Sequence, residues 1–177
     1  MYLSHHQQLV KVLRDRFGDK EILGIEIGTF CGDSAVQILN AFPNCKLFTV
    51  DPWEHRDKAE FEAGELQPYH DKNMHLALSR LKEFYPRCEV LHMKSKEAVA
   101  RLLKDTPDIK FDFVWIDGDH SEEGITTDLE LFDGMIKEGG LIGGHDYGQC
   151  HPLTEIILKK YDKELNSGND YAWWVYK

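Results

Sequence analysis

Basic residues are in the minority in this sequence, and long apolar runs are missing from it. The 177 residues include 21 lysines and arginines against 31 aspartates and glutamates, which gives a formal net charge of −10. Because surfaces that bind polyanions normally need clustered lysine and arginine, this charge argues against nucleic acid as the main partner. The longest apolar runs contain only a handful of residues, which is too short for a membrane span.

Cysteines are also few, and they show no paired spacing. Cys31, Cys45, Cys88 and Cys150 are scattered, so the sequence predicts neither a zinc site nor a disulfide framework. We expect all four to serve packing. Residues 1–17 lack the basic start and apolar centre of a signal peptide. These features together predict a cytoplasmic protein without a membrane partner.

What the sequence does contain is a regular alternation of strand and helix patterns from residue 22 to the end. Strands are predicted at residues 21–28, 45–51, 88–93, 111–117, 139–146 and 171–177. Helices are predicted at residues 33–42, 71–85, 96–105, 121–137 and 152–165. Because the middle strands are apolar on both faces, we expect a mostly parallel sheet with helices on both sides. The predicted fold class is α/β, in one domain spanning residues 1–177.

Local signals mark three of the predicted helices. Residues 1–20 are expected to form an N-terminal helix that places Leu9, Val10, Leu13 and Phe17 on one stripe. Asp33 or Ser34 is placed to cap the helix at 33–42, and Ser95 the helix at 96–105.

One stretch, residues 52–70, fits neither pattern. It is charged, aromatic and long for a connection in a compact domain. Loops of this kind are often lids or binding loops, so a lid is predicted here. A solvated surface helix is the alternative.

Polar residues follow the predicted strands at the point where each strand ends. In open α/β sheets, ligands bind at the carboxyl ends of the strands, near the point where the strand order reverses. The sequence therefore predicts one pocket at this edge of the sheet. Its candidate residues lie at 26–32, Asp51, Ser95, 117–120 and 145–146.

The turn after the first strand and the end of the second indicate what this pocket binds. Gly28 and Gly32 allow a sharp turn and a close approach of a ligand to the backbone. Phe30 stands where a dinucleotide fingerprint has its second glycine, which disfavours NAD and an oxidoreductase. Asp51, at the end of the second strand, can accept hydrogen bonds from both ribose hydroxyls. An adenosine-containing ligand is favoured over an ordinary turn and a loop aspartate.

Five segments together carry a family resemblance: "EIGTFCGDSA", "FTVDPW", "MKSKEA", "FDFVWIDGDHSEEGITTDLELF" and "GGLIGGHDY". They resemble the class I S-adenosylmethionine-dependent methyltransferases. Among these, they resemble the bacterial group with DGDHSYEG and GGxIxGHDY motifs, which is related to metal-dependent O-methyltransferases. The resemblance covers roughly residues 22–150, and it implies a Rossmann-like sheet whose C-terminal strand is antiparallel. Only one strand pattern follows the last helix, so six or seven strands are expected.

The resemblance implies a set of cofactor-binding residues. Asp51 would hold the ribose hydroxyls, with Pro52 and Trp53 beside the adenine and Ser95 near its edge. Asp117 would face the amino group of S-adenosylmethionine as well as a metal ion. The full set that the resemblance implies for the cofactor is Glu26, Gly28, Thr29, Phe30, Gly32, Ser34, Asp51, Pro52, Trp53, Ser95 and Asp117.

The resemblance also implies a metal site and a base. Asp117, His145 and Asp146 would hold a divalent cation, magnesium or manganese, although His145 and Asp146 replace a carboxylate and an amide of the relatives. Magnesium prefers oxygen ligands, and an imidazole shifts the choice toward manganese, iron or zinc. His120 and Asp117 are the expected catalytic residues, with His120 as the base. Capping of the following helix is the alternative role for His120.

The predicted function is O-methylation of a small hydroxylated acceptor such as a phenol or a sugar. Two alternatives stay open: a metal-independent methyltransferase, and a non-catalytic module that binds S-adenosylmethionine. The N-terminal helix is shorter than the region that builds the acceptor pocket in relatives. The pocket is therefore open, or completed by residues 52–70, or completed by the second subunit of a homodimer.

Overall fold

A computed structural model describes residues 3–54 and 66–177. The helices and strands are, in chain order, α1 (His5–Phe17), β1 (Ile22–Ile27), α2 (Asp33–Ala41), β2 (Cys45–Val50), α3 (Gln67–Leu81), β3 (Cys88–Leu91), α4 (Ser95–Asp105), β4 (Phe111–Ile116), α5 (Glu122–Asp133), β5 (Ile136–Gly144), α6 (His151–Tyr161), β6 (Asn166–Ser167) and β7 (Trp173–Tyr176). Two short 3-10 helices, Lys82–Phe84 and Asp162–Glu164, follow α3 and α6.

The strands form one seven-stranded sheet in the order β3-β2-β1-β4-β5-β7-β6. Strands β1 to β5 are parallel, and β7 is antiparallel to both β5 and β6. The chain runs outward from β1 to β3 and then outward again from β4, so the strand order reverses between β1 and β4. This reversal opens a crevice at the carboxyl ends of the two central strands. The predicted α/β fold, a mostly parallel sheet with an antiparallel C-terminal strand, is confirmed, with seven strands rather than six.

Helices cover both faces of the sheet, as the apolar middle strands predict. Helices α4, α5 and α6 pack on one face through residues such as Val99, Leu129 and Ile157. Helices α1, α2 and α3 pack on the other face through residues such as Leu13 and Ile38. The free cysteines Cys31, Cys45, Cys88 and Cys150 are all buried.

Several predicted boundaries shift. Helix α2 has Gly32 rather than Asp33 or Ser34 at its N-cap, and α4 begins at Ser95 with Lys94 as its N-cap. Helix α3 begins at residue 67 instead of 71, and α5 ends at residue 133 instead of 137. Strand β5 begins at residue 136 instead of 139, because Ile136 already pairs with Phe111 of β4. The two-residue strand β6 is too short to show an alternating pattern.

The N-terminal helix has a buried stripe slightly different from the predicted one. Val12 is buried in place of Val10, which is half-buried, while Leu9, Leu13 and Phe17 are buried as expected. Ser4 caps the helix in a reciprocal capping box with Gln7. Within the described ranges 3–54 and 66–177, no helix combines the length and apolar character needed to cross a membrane.

Candidate active site

A cavity of about 620 Å³ lies at the carboxyl ends of β1, β2 and β4. Most of the predicted cofactor residues line it, namely Gly28, Thr29, Phe30, Ser34, Asp51, Pro52, Trp53, Ser95 and Asp117, together with the predicted base His120. Glu26 contacts the cavity wall through Ser34 and does not line the cavity itself. Of the predicted lid, residues 55–65 lie outside the described residues, and residues 67–70 belong to α3. The binding roles of these residues remain predictions.

Gly28 joins the two central strands at this edge. Its φ is +93°, and a Cβ added there would lie 1.9 Å from the backbone oxygen of Asp117. The Asp117 amide donates to the Ile27 carbonyl at 2.8 Å, which holds the two strand ends in this contact. A side chain at Gly28 is therefore excluded by the neighbouring strand as well as by its backbone conformation.

Asp51 organises the backbone on one side of the cavity. Its carboxylate accepts hydrogen bonds from the amides of Phe30 and Trp53, both at 2.8 Å. Phe30 and Trp53 have φ values of 48° and 43°, an unfavourable region for bulky residues. The Trp53 indole also donates to the Phe30 carbonyl at 2.7 Å. One carboxylate thus holds two strained residues in the cavity wall.

Glu26 is buried in the core behind this wall. Its Oε1 accepts a hydrogen bond from the Ser34 hydroxyl. Burial raises the pKa of Glu26 to about 8, although the hydrogen bond from Ser34 acts in the opposite direction. Within the described part of the chain, Glu26 Oε2 and the buried Thr29 Oγ1 have no hydrogen-bond partner. Buried polar atoms rarely stay unpaired, and Thr29 lines the cavity, so a polar ligand there fits its hydroxyl oxygen.

The ends of β4 and β5 bring four titratable groups together. His120 Nε2 lies 2.7 Å from Asp146 Oδ2 and 3.7 Å from Asp117 Oδ1. His145 Nδ1 lies 3.2 Å from Asp146 Oδ1 and 3.7 Å from Asp117 Oδ1. The predicted catalytic and metal residues are therefore neighbours. Ser121 is the N-cap of α5, so the alternative that His120 caps this helix is wrong.

The charges of this cluster depend on one another. Burial lowers the pKa of His120, but its hydrogen bonds with Asp117 and Asp146 outweigh burial and raise the pKa to about 10. Burial lowers the pKa of His145, but its hydrogen bonds with Asp146 and with the Asp170 backbone, together with the charges of Asp117 and Asp146, outweigh burial and raise the pKa. The two imidazoles in turn hold the pKa of Asp146 well below its usual range, against the effect of burial.

Among residues 3–54 and 66–177, two triplets of side chains have ligand atoms close enough together to hold a metal ion. Within each, one ligand atom per residue lies within 4.8 Å of the others, and Asp117 belongs to both. One triplet adds His120 and Asp146, and the other adds His5 and His145. His145 and Asp146, the two metal ligands predicted beside Asp117, each belong to one triplet, but they do not belong to the same one.

His5 was missed by the sequence analysis, as was His6, which also lines the cavity. Both begin α1, on which the sequence analysis assigned only the apolar stripe. His5 precedes Leu9 by one helical turn, so it continues the buried stripe of that helix. A polar residue that extends an apolar stripe is the signal that could have identified it.

A family model described as "Methyltransferase domain" matches residues 25–147, which is more than half of the chain. A doubly wound sheet with a cavity at its switch point is the architecture of enzymes that bind nucleoside cofactors. The chain belongs to this methyltransferase family, and it is an S-adenosylmethionine-dependent methyltransferase.

Solved structures with the same fold include three methyltransferases. The calicheamicin methyltransferase CalS11 is 12% identical with a TM-score of 0.71, over 96% of this chain and 77% of that chain. The O-methyltransferase TomG from Streptomyces achromogenes, in complex with S-adenosylmethionine, is 17% identical with a TM-score of 0.64, over 97% and 78%. An O-methyltransferase from Bacillus cereus, in complex with S-adenosylhomocysteine, is 16% identical with a TM-score of 0.64, over 97% and 80%. At these identities the likeness shows the fold.

Proposed function

We propose that the protein methylates a hydroxyl group of a small acceptor, a phenol or a sugar, with the help of a divalent cation and of His120 as proton acceptor. In this reaction the acceptor oxygen forms a bond to the methyl carbon, and the carbon–sulfur bond breaks with its electron pair returning to the cationic sulfur. The hydroxyl proton passes to His120. The names of TomG and of the Bacillus cereus protein support an oxygen acceptor.

The observation that carries this proposal is the contact between the ends of β4 and β5 beside the cavity. Each of His120 and His145 lies within 3.7 Å of both Asp117 and Asp146 there. Such a group combines a proton acceptor with oxygen and nitrogen ligands for a cation. We assign the cation to Asp117, His145 and Asp146, as the sequence predicts.

The cofactor would occupy the other part of the cavity. Asp51 has the position from which a carboxylate can accept hydrogen bonds from ribose hydroxyls. The unpaired Thr29 Oγ1 belongs to a residue that lines the cavity and fits the polar methionine end of S-adenosylmethionine, while Glu26 supports this wall from behind through Ser34. Asp117 lines the cavity and belongs to the charged cluster, so it lies between the two parts.

A bound divalent cation would lower the pKa of a hydroxyl that it coordinates. His120 must also lose its own proton before it can accept one. With a pKa of about 10, its imidazole keeps that proton at neutral pH. Asp117 and Asp146 hold that proton through their negative charges. Carboxylates that ligate a cation stabilise the imidazolium less, so His120 can release its proton and then accept one from the acceptor.

Metal-independent transfer is the second candidate. It is favoured by the 2.7 Å contact between His120 and Asp146, since this ion pair satisfies both groups without a cation. In that case Asp117 and Asp146 would serve only to orient the imidazole. Activity that survives a strong chelator would support this candidate over the first.

Calorimetry with S-adenosylhomocysteine, with and without magnesium or manganese, tests the proposal. We expect binding to the parent protein, and a weaker affinity for Asp51→Ala by about tenfold or more, because hydrogen bonds to a carboxylate contribute about 1.5–3 kcal/mol. Asp19→Ala is the matched control, since its side chain is 96% exposed on the surface. If Asp51→Ala binds like the parent, the ribose assignment is wrong.

A further inference from the structure

We propose that His5, in the first turn of α1, is a ligand of the cation bound at Asp117 and His145, and that this cation is a transition metal such as zinc, cobalt or manganese. The inference rests on the proposed function, which places a cation at Asp117. It adds a ligand from a part of the chain outside the family match at residues 25–147, and it narrows the expected metal from magnesium or manganese to a transition metal.

The geometry of the triplet supports this assignment. His5, Asp117 and His145 come from α1, the end of β4 and the end of β5, and one ligand atom of each lies within 4.8 Å of the others. The rings of His5 and His145 are 4.0 Å apart between centroids and tilted by 32°. Residues from three separate elements converge on one point, with all three side chains partly buried.

A carboxylate fixes the orientation of the His5 ring. Asp170 Oδ2 accepts hydrogen bonds from the His5 backbone amide at 2.8 Å and from Nδ1 at 2.9 Å. With Nδ1 protonated toward Asp170, Nε2 keeps its lone pair and can bind a metal ion. Histidine ligands usually donate their second nitrogen to a carboxylate in this way.

His145 faces the same position. Its Nδ1 lies 3.7 Å from Asp117 Oδ1 and 3.2 Å from Asp146 Oδ1. A cation between His145 and Asp117 would therefore be bound through Nδ1, the nitrogen that already faces both carboxylates. One ligand atom of His5 lies within 4.8 Å of one ligand atom of each of these two residues, which brings His5 within reach of the same cation.

The ligand types decide the metal. Magnesium prefers an all-oxygen shell, whereas two imidazoles and one carboxylate suit zinc, manganese and the other divalent first-row metals. The second triplet, with His120 and Asp146, is a poorer site for the same cation. Its imidazole is the proposed proton acceptor and is already paired with Asp146 at 2.7 Å.

The test is a metal titration of the metal-stripped full-length protein. Binding of Co²⁺ is followed by calorimetry and by visible absorption, which reports on nitrogen ligands, and Zn²⁺ and Mg²⁺ are titrated in parallel. The variants are His5→Ala, Asp170→Asn and Asp117→Asn, with His75→Ala as the matched control. His75 is an exposed histidine of α3 that neither lines the cavity nor belongs to a triplet.

We expect the parent to bind Co²⁺ and Zn²⁺ at least about tenfold more tightly than Mg²⁺. His5→Ala should lose about tenfold or more in affinity for Co²⁺ and change its absorption spectrum, and Asp170→Asn should lose about tenfold. His75→Ala should behave like the parent. Melting curves without metal establish that each variant is folded, so that a loss of binding reports on the ligand.

Three results would overturn the inference. If His5→Ala binds Co²⁺ like the parent while Asp117→Asn does not, the cation site stands and His5 is not its ligand. If the parent binds Mg²⁺ more tightly than Co²⁺ and Zn²⁺, its cation is not held by two imidazoles and one carboxylate, as this proposal requires. A parent that binds none of these cations contradicts both this inference and the metal half of the proposed function, whereas calorimetry with S-adenosylhomocysteine separately decides the cofactor half.

Discussion

The two sides of the cavity are built differently. On the cofactor side, at the ends of β1 and β2, the wall is mostly backbone, whose conformation is fixed by Gly28 and by the hydrogen bonds of Asp51. On the metal side, at the ends of β4 and β5, the wall is made of titratable side chains that include His5 and Asp117. The first side is encoded by short local segments, whereas the second exists only after distant segments have met.

This difference predicts which mutations damage both sides and which damage one. The largest effect is expected for Gly28→Ala, because the new Cβ would lie 1.9 Å from the Asp117 carbonyl oxygen. We expect a loss of at least about 3 kcal/mol in the free energy of unfolding. Binding of S-adenosylhomocysteine should be lost as well. Urea denaturation and calorimetry measure the two effects.

Gly148→Ala is the matched control for that prediction. Gly148 has a similar φ of 86°, but a Cβ there would meet nothing within 4 Å among the described residues. Only the conformational penalty of about 1–2 kcal/mol should remain. Equal losses for the two variants would show that the close approach of β1 and β4 is not the cause.

His120→Ala is expected to separate the two sides. Loss of a general base reduces turnover by about 10²–10⁴-fold. Binding of S-adenosylhomocysteine should stay close to that of the parent, because Glu26 and Asp51 are intact. Release of S-adenosylhomocysteine with a panel of phenols and sugars measures turnover for both proteins. A cofactor affinity that falls as far as the turnover would contradict the division.

The pH dependence of stability tests the buried carboxyl group of the cofactor side. Burial raises the pKa of Glu26 to about 8 in the folded protein, above its ordinary value of 4.5. Between these two pH values the folded state binds more protons than the unfolded state. The free energy of unfolding should therefore fall as the pH rises from 4.5 to 8, by on the order of a few kcal/mol from this group.

Glu26→Gln is the comparison that isolates this effect, because other groups, such as His120, titrate with the same sign. Urea denaturation of the parent and of the variant at several pH values gives the difference between them. The stability of the parent should fall more steeply than that of Glu26→Gln over this range. Parallel curves would mean that Glu26 is ionised in the folded protein.

The smallest expected effect is that of Ser4→Ala on the metal side. Ser4 caps α1 by accepting a hydrogen bond from the Gln7 amide at 3.4 Å, and loss of such a cap costs about 1 kcal/mol. Because His5 follows directly, we expect weaker binding of Co²⁺ with unchanged binding of S-adenosylhomocysteine. A parallel loss of both would show that α1 supports the whole cavity.

The same difference explains what the sequence could predict. Gly28 and Asp51 end neighbouring strands, so their proximity follows from the pattern of the parallel sheet. Asp117, His145 and Asp146 could be placed at the same edge for the same reason. His5 and Asp170 could not, because they lie at opposite ends of the chain and meet only when α1 packs beside the turn that precedes β7.

The predicted N-cap of α2 was wrong for a local reason. Ser34 is placed by its type to cap α2, but its hydroxyl is buried and donates to Glu26 instead. The left-handed conformation of Gly32 begins that helix without a side-chain cap. Propensity describes what a residue prefers in isolation, and a buried partner can override it.

Asp117 belongs to both sides, since its backbone touches Gly28 while its carboxylate joins the charged cluster. If one ligand displaces Asp117, the contacts that Asp117 makes with the other ligand change as well. The methyl donor and the cation should consequently show mutual cooperativity, in which each changes the affinity of the other by the same factor. The order in which the methyl donor and the cation bind would then depend on the position of Asp117 at the end of β4.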